Sequence, residues 1–148
     1  MNVSISFSYQ TSFPKIKNIK VLKKFIHSMC IHEGYEFESL SIVFCSDTYL
    51  HSFNIHYLKH DTLTDIITFD YADNPNIIHG ELYISYQRVK ENAIHLKIPI
   101  YKELHRVLFH GILHLLGYKD KLKQDVEIMR NKEEYYLTLY FSNQKCST

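Results

Sequence analysis

Apolar residues Val3, Ile5 and Phe7 alternate with polar ones, so the chain opens on a half-buried strand. After Pro14 the period changes. From Ile16 to His32 the apolar residues Ile19, Leu22, Phe25, Ile26 and Met29 fall at helical spacing. Lys15, Lys17, Lys20, Lys23 and Lys24 fall mostly on the opposite side, which reads as a solvated helix face. Gly34 marks the stop. Leu40, Ile42 and Phe44 alternate as a second strand, and Asp47 is placed to N-cap a short helix to about Tyr57. Residues 61–64 form a polar loop. Asp65–Asp70 is a β-branched third strand, Asp73-Asn-Pro-Asn76 a turn, and Ile77–Ser85 a fourth strand interrupted at His79-Gly80.

Helical spacing then returns. Tyr86–Leu96 turns Val89, Ala93 and Leu96 inward, and Pro99 ends it. Tyr101–Leu116 lines up Leu104, Leu108, Ile112 and Leu115, and Lys121–Phe141 is a last amphipathic helix with a frayed tail at 142–148. Two strands each followed by a helix, then two strands and three helices, predict an α+β fold. It is a small mixed four-stranded sheet packed with about five helices, as one domain over residues 1–148.

Composition narrows this picture only a little. The hydrophobic fraction of 45% excludes disorder as the default, and a net charge of +1 supplies no overall attraction to nucleic acid. Cys30, Cys45 and Cys146 are far apart and form no CxxC, so reduced thiols in a cytoplasmic protein are expected. The N-terminus lacks the basic and apolar regions of a signal peptide, and no apolar run reaches the length of a membrane span.

The chemistry concentrates in His110-Gly-Ile-Leu-His114-Leu-Leu-Gly117-Tyr-Lys-Asp120. Two histidines four apart share one helix face near the end of a central helix. Gly117 is placed to end that helix in a left-handed conformation, bringing Asp120 back towards both rings. Two imidazoles and a carboxylate with a fourth position open make a catalytic zinc site, one ion per chain. The spacing also matches the zinc-protease pattern HExxHxxGxxH, but the position of the protease's base is Gly111, which demotes a peptidase. His105, off that face, is read as a surface residue.

HGILHLLGY resembles the signature HGxLHLxGYDH of the YbeY family of bacterial rRNA maturation factors. Asn54-Ile-His-Tyr57 with Thr64-Asp65-Ile-Ile-Thr-Phe69, and Gly80-Glu81-Leu-Tyr-Ile-Ser85 with Val89-Lys-Glu-Asn-Ala93, are similar to two further blocks of that family in order and spacing. The resemblance implies a zinc-dependent, single-strand-specific endoribonuclease. Its expected work is ribosomal RNA processing, notably near the 3′ end of the small-subunit RNA, and ribosome quality control. Its expected partners are single-stranded rRNA and the ribosome or its associated proteins. It also implies three ligands, falling on His110, His114 and Asp120. A histidine stands at the third place in the family pattern, and aspartate is a legitimate substitute. The family's arginine after the tyrosine falls on Leu58, leaving neighbouring Lys59 as the nearest cation.

For an RNA hydrolase, Lys59, Glu81 and Glu103 are the catalytic candidates, and Arg88 and Arg106 the substrate-binding ones. Arg106 lies four before His110 and shares its face. His79 is a further candidate for the cleft. Tyr71 offers a stacking wall, and Phe69 is read as core. Two other classes stay open: a metal-stabilised ribosome- or protein-binding factor with little nuclease activity, and a metallopeptidase.

Overall fold

The computed structural model describes residues 4–10, 12, 15–58 and 64–146, without the side chains of 57–58 and 144–146. Its elements follow the expected order: β1 (Ile5–Tyr9), α1 (Ile19–His32), β2 (Glu36–Cys45), α2 (Asp47–Leu58), β3 (Ile66–Asp70), β4 (Ile77–Ser85), α3 (Tyr86–Leu96), α4 (Ile100–Leu115) and α5 (Lys123–Cys146). The α+β expectation holds. The strands pair as β1-β2-β4-β3, parallel across β1/β2 and β2/β4 and antiparallel across β4/β3. Parallel neighbours need a crossover, and α1 supplies it between β1 and β2.

Alternation along β4 separates two cores. Ile78, Leu82 and Ile84 point into the larger one, with Leu22, Ile26 and Met29 of α1, Leu108 and Ile112 of α4, and Tyr136 and Leu137 of α5. Tyr83 points the other way, onto Cys45, Leu50, Phe53 and Ile67 beneath α2. The last residues of β2, Ile42–Cys45, are all buried because both faces are covered there.

Several expectations need correction. The fourth strand is continuous, because Gly80 belongs to the ladder opposite Leu40 and Asp70. A Cβ there would come within 2.7 Å of the Phe69 carbonyl oxygen and 3.1 Å of Leu115, so the glycine allows α4 to seat on the sheet. The cap of α2 is Ser46, whose hydroxyl accepts from the Tyr49 N–H at 3.0 Å. Asp47 is the first helical residue, and its carboxylate instead takes Arg88 at 2.6 Å. Leu96 is 54% exposed, lying past the row Val89–Ala93 that meets the core. The last helix continues to Cys146. His105 is buried at 7% exposure, donating from Nδ1 to the Tyr101 carbonyl at 2.6 Å and packed between Tyr140 and Phe141 of α5. Burial lowers its pKa, so it sits there as a neutral aromatic. Its place on α4 is off the metal face, as the spacing required, but that other face is covered rather than wet.

Cys30 and Cys45 are free and buried, and burial pushes both thiols up to about 12. Among the described residues no helix is long and apolar enough to cross a membrane.

Candidate metal centre

The centre is assembled at the C-terminal end of α4. This helix is buried nearly all round: Val107, Leu108, Phe109, Gly111, Ile112 and Leu113 are sunk in the core, so its frame is fixed. His110 and His114 occupy the open stripe of its C-terminal half, with side chains 19% and 25% exposed. Gly111 lies about a quarter turn round the helix from that stripe. A Cβ at that position would lie 2.4 Å from Ile66 Cδ1 and 3.2 Å from Leu82 Cδ2, against the sheet. The place where a zinc protease carries its base is therefore a packing contact with Ile66 and Leu82.

The chain leaves α4 through a Schellman turn. The Tyr118 N–H bonds the Leu113 carbonyl and the Gly117 N–H bonds that of His114, both at 3.0 Å. Gly117 has φ 92°, a left-handed geometry that glycine adopts without cost. The reversal brings Asp120 Oδ2 to 3.3 Å from Nε2 of both histidines. The three ligand atoms all lie within 4.8 Å of one another.

Hydrogen bonds fix which ring nitrogens face inward. His114 Nδ1 donates to the Tyr118 carbonyl at 3.0 Å, and His110 Nδ1 donates to Glu133 Oε2 at 2.6 Å. Each Nε2 is then left with a lone pair. These two lone pairs face each other at 3.0 Å, beside a carboxylate oxygen. Three acceptors converging without a donor is an arrangement that only a cation, metal or proton, reconciles. Two imidazoles and a carboxylate with an outer carboxylate behind one ring are the donor set of a zinc-like centre. The residues present fit the ion.

Behind His110 lies an ionic lattice. Glu133, on α5, is 4% exposed and also accepts from Arg106 Nη1 at 3.1 Å. Burial works against its ionisation, but the His110 hydrogen bond and the Arg106 charge outweigh that and hold its carboxyl below the usual range. Arg106 gives Nε and Nη2 to the two oxygens of Glu103, each at 2.7 Å, and those bonds raise its own pKa. Its Nη2 stands 3.9 Å from Asp65. For Asp65 burial dominates. It pushes the carboxyl above the ordinary range despite Arg106 and His110, with Glu103 adding to the rise.

A second brace ties the turn to α1. Glu33, just past that helix, accepts from Tyr118 at 2.6 Å, from Lys132 at 3.2 Å and from Tyr136. The ligand loop thus hangs between α1, α4 and α5. It opens into a cleft of about 610 Å³ lined by Asn54, Thr64, Asp65, Ile66, Thr68, His110, His114, Asp120 and Lys121.

Known proteins share this framework. A family model described as Endoribonuclease YbeY matches residues 5–140. The chain belongs to that family. A relative named Endoribonuclease YbeY from Amoebophilus asiaticus is 46% identical over 123 residues, covering 83% of this chain and 84% of the relative. One of the same name from Flavobacterium psychrophilum is 43% identical over 140 residues, covering 95% and 99%. The solution structure of TM1509 from Thermotoga maritima shares the fold, with a TM-score of 0.65 at 24% identity over 97% of this chain and 93% of that one.

The other residues singled out from sequence scatter. Lys59 lies outside the described residues. Glu81 pairs with Phe69 on the sheet face away from α4, where Tyr71 donates to it at 3.0 Å. His79 shares that face and meets Glu38 at 2.7 Å, so it does not line the cleft of this YbeY-family chain. Phe69 packs with Phe53 and Tyr83 of the smaller core as expected, and Tyr71 stacks on it from solvent. Arg88 is bound by Asp47 and Glu91. Glu103 is fully buried and reaches the site only through Arg106.

Glu133 and Asp65 were not picked out from sequence. A signal for Glu133 existed: it sits in the buried row Met129, Tyr136, Leu137, Tyr140 of α5, where an unpaired carboxylate would be prohibitive. Removing Asp120 tests the third ligand. Asp120→Ala is expected to retain metal at least ~10-fold less tightly, since the carboxylate is exposed and gives the fold little. Asp120→His restores binding. Unchanged metal content in the alanine variant would show that the centre does without it.

Proposed function

We propose that this protein is a zinc-dependent endoribonuclease that hydrolyses phosphodiester bonds in single-stranded ribosomal RNA in the cytoplasm. The work it would do there is maturation of the 3′ end of small-subunit RNA and ribosome quality control, with the ribosome or its associated proteins as partners. The observation that supports this reading is the convergence of the His110, His114 and Asp120 ligand atoms on the floor of an open cleft, in a YbeY-family chain. When bound there, a divalent ion supplies charge stabilisation at the phosphate and acidifies water. Two imidazoles favour zinc over magnesium, and the aspartate widens tolerance towards harder ions.

The chain's own groups do the rest. Glu133 and the Tyr118 carbonyl hold the two rings with Nε2 turned into the cleft. Lys121, on the cleft wall, would neutralise a phosphate, while Arg106 gives three of its N–H groups to Glu103 and Glu133. Thr64, Thr68 and Asn54 give the opposite wall polar edges for a splayed strand.

A second reading is a metal-stabilised ribosome-binding factor. Leu58 in place of the family's arginine, with Arg88 and Arg106 already ion-paired, favours it. Purified protein, offered single-stranded and duplex RNA of one sequence, distinguishes the two. Cleavage of the single strand, lost with chelator and regained with zinc, is the expected result. Bound zinc without cleavage under any condition would favour the binding factor. Chelator-sensitive hydrolysis of casein would revive a peptidase.

A further inference from the structure

We propose that Asp65 is the proton acceptor of the cleft, taking a proton from the water that attacks the RNA phosphorus. The proposal rests on the endoribonuclease reading above and names a group that it leaves open.

The neighbouring carboxylates are all committed elsewhere. Asp120 faces both histidine Nε2 atoms. Glu133 spends one oxygen on His110 and the other on Arg106. Glu103 spends both on Arg106 and has no exposed surface. Glu81 lies across the sheet. Asp65 alone among these lines the cleft without being a ligand.

Its anchoring suits the task. The Asp65 carbonyl accepts the Ser85 N–H at 3.0 Å, which pins the backbone at the entry to β3. Asn92 of α3 donates to Oδ2 at 3.4 Å, and Arg106 of α4 approaches the same oxygen at 3.9 Å. The Arg106 separation exceeds a hydrogen bond, so the pair is not closed. Among the described residues no neighbouring side chain is hydrogen-bonded to Oδ1, and the side chain is 25% exposed. The carboxylate also receives a hydrogen bond from its own backbone, and its exposed quarter opens on the cleft. An ion pair built only for stability would close on Arg106, whose fork is instead filled by two glutamates.

The step balances. A water oxygen forms a bond to phosphorus while one of its protons passes to Asp65. The bond from phosphorus to the leaving ribose oxygen breaks, and that oxygen takes a proton from solvent. Asp65 then returns its proton to solvent. Burial, which raises this carboxyl, brings it closer to the working pH of a base. The charged groups facing it are Arg106, His110 and Glu103 of α4, with Arg88 of α3 more distant.

The test is Asp65→Asn, with zinc content, RNA binding in chelator and single-turnover cleavage measured together. Zinc content and RNA affinity are expected to match the wild type, while cleavage falls ~10²–10⁴-fold, the usual contribution of a positioned base. Asp65→Glu recovers part of the loss. In the wild type, over a pH range of constant zinc content, cleavage rises with pH through an acidic limb, because only the deprotonated carboxylate accepts a proton. The asparagine variant lacks that limb. Wild-type-like cleavage by Asp65→Asn, loss of zinc along with activity, or a wild-type profile without the limb would overturn the assignment. A wild-type protein that binds zinc but cuts no RNA would instead remove the endoribonuclease reading, and this proposal with it.

Discussion

Replacing His114 with alanine is expected to abolish zinc retention and to reduce cleavage of single-stranded RNA by well over ~100-fold, more than loss of an outer hydrogen-bond partner costs a metal site. The argument starts from what the ring does not do. It is a quarter exposed and makes one protein hydrogen bond with a backbone group, to the Tyr118 carbonyl, at a helix end whose Schellman turn is closed by backbone hydrogen bonds and braced by Glu33 through Tyr118. Its neighbours Ile112, Leu113 and Leu115 carry the packing of that turn. The apo variant should therefore lose only about 1 kcal/mol of stability, the scale of a single hydrogen bond. What it does lose is one of three converging acceptors, and two cannot hold an ion whose other positions must stay open for substrate. Metal content after dialysis, thermal melting of the apo forms and cleavage rates check the three parts separately. Cleavage unchanged in a variant that has lost its zinc would detach the centre from the reaction.

Periodicity found the elements because most of them have one covered face. The row Leu104, Leu108, Ile112 and Leu115 is buried as the helical spacing required, and Leu22, Ile26 and Met29 behave likewise in α1. It erred where tertiary packing covered a second side or withdrew from the first. His105 was expected to be wet, because nothing in its own helix says that α5 lies over it. Leu96 was expected to be buried, although the core stops one turn earlier. The glycine in β4 looked like an interruption, whereas the cause is the close approach of Leu115 and a neighbouring strand's carbonyl, which no local pattern contains.

The candidate site divides on the same line. His110, His114, Gly117 and Asp120 lie within eleven residues, so helix geometry and one left-handed turn suffice to bring them together. Glu133 and Asp65 reach the site from α5 and from the start of β3, and their distance in the chain hides them. Glu81 and His79 illustrate the converse. Both lie one residue from Gly80, which touches α4, and strand alternation places both on the opposite face.

The largest effect on metal affinity expected away from the ligands is at Glu133. Glu133→Ala is predicted to weaken zinc binding ~10–100-fold, or about 1.4–2.8 kcal/mol. The carboxylate accepts the His110 Nδ1–H at 2.6 Å, and that bond keeps the proton off Nε2, the atom facing Asp120 and His114. Without it the ring is free to take the other tautomer, which puts a proton where a ligand lone pair must be. Glutamine is not expected to rescue. Both partners of Glu133 are donors, His110 Nδ1 and Arg106 Nη1, so a side-chain amide would turn its own N–H groups on one of them. Glu134→Ala, one residue along and exposed, is the control. Chelator competition gives the affinity, and nitrogen chemical shifts of His110 in the apo protein give the tautomer independently of any cleavage. If Glu133→Ala holds zinc as tightly as Glu134→Ala, the carboxylate serves only the lattice around Arg106, and the orientation of His110 must come from its packing on α4 alone.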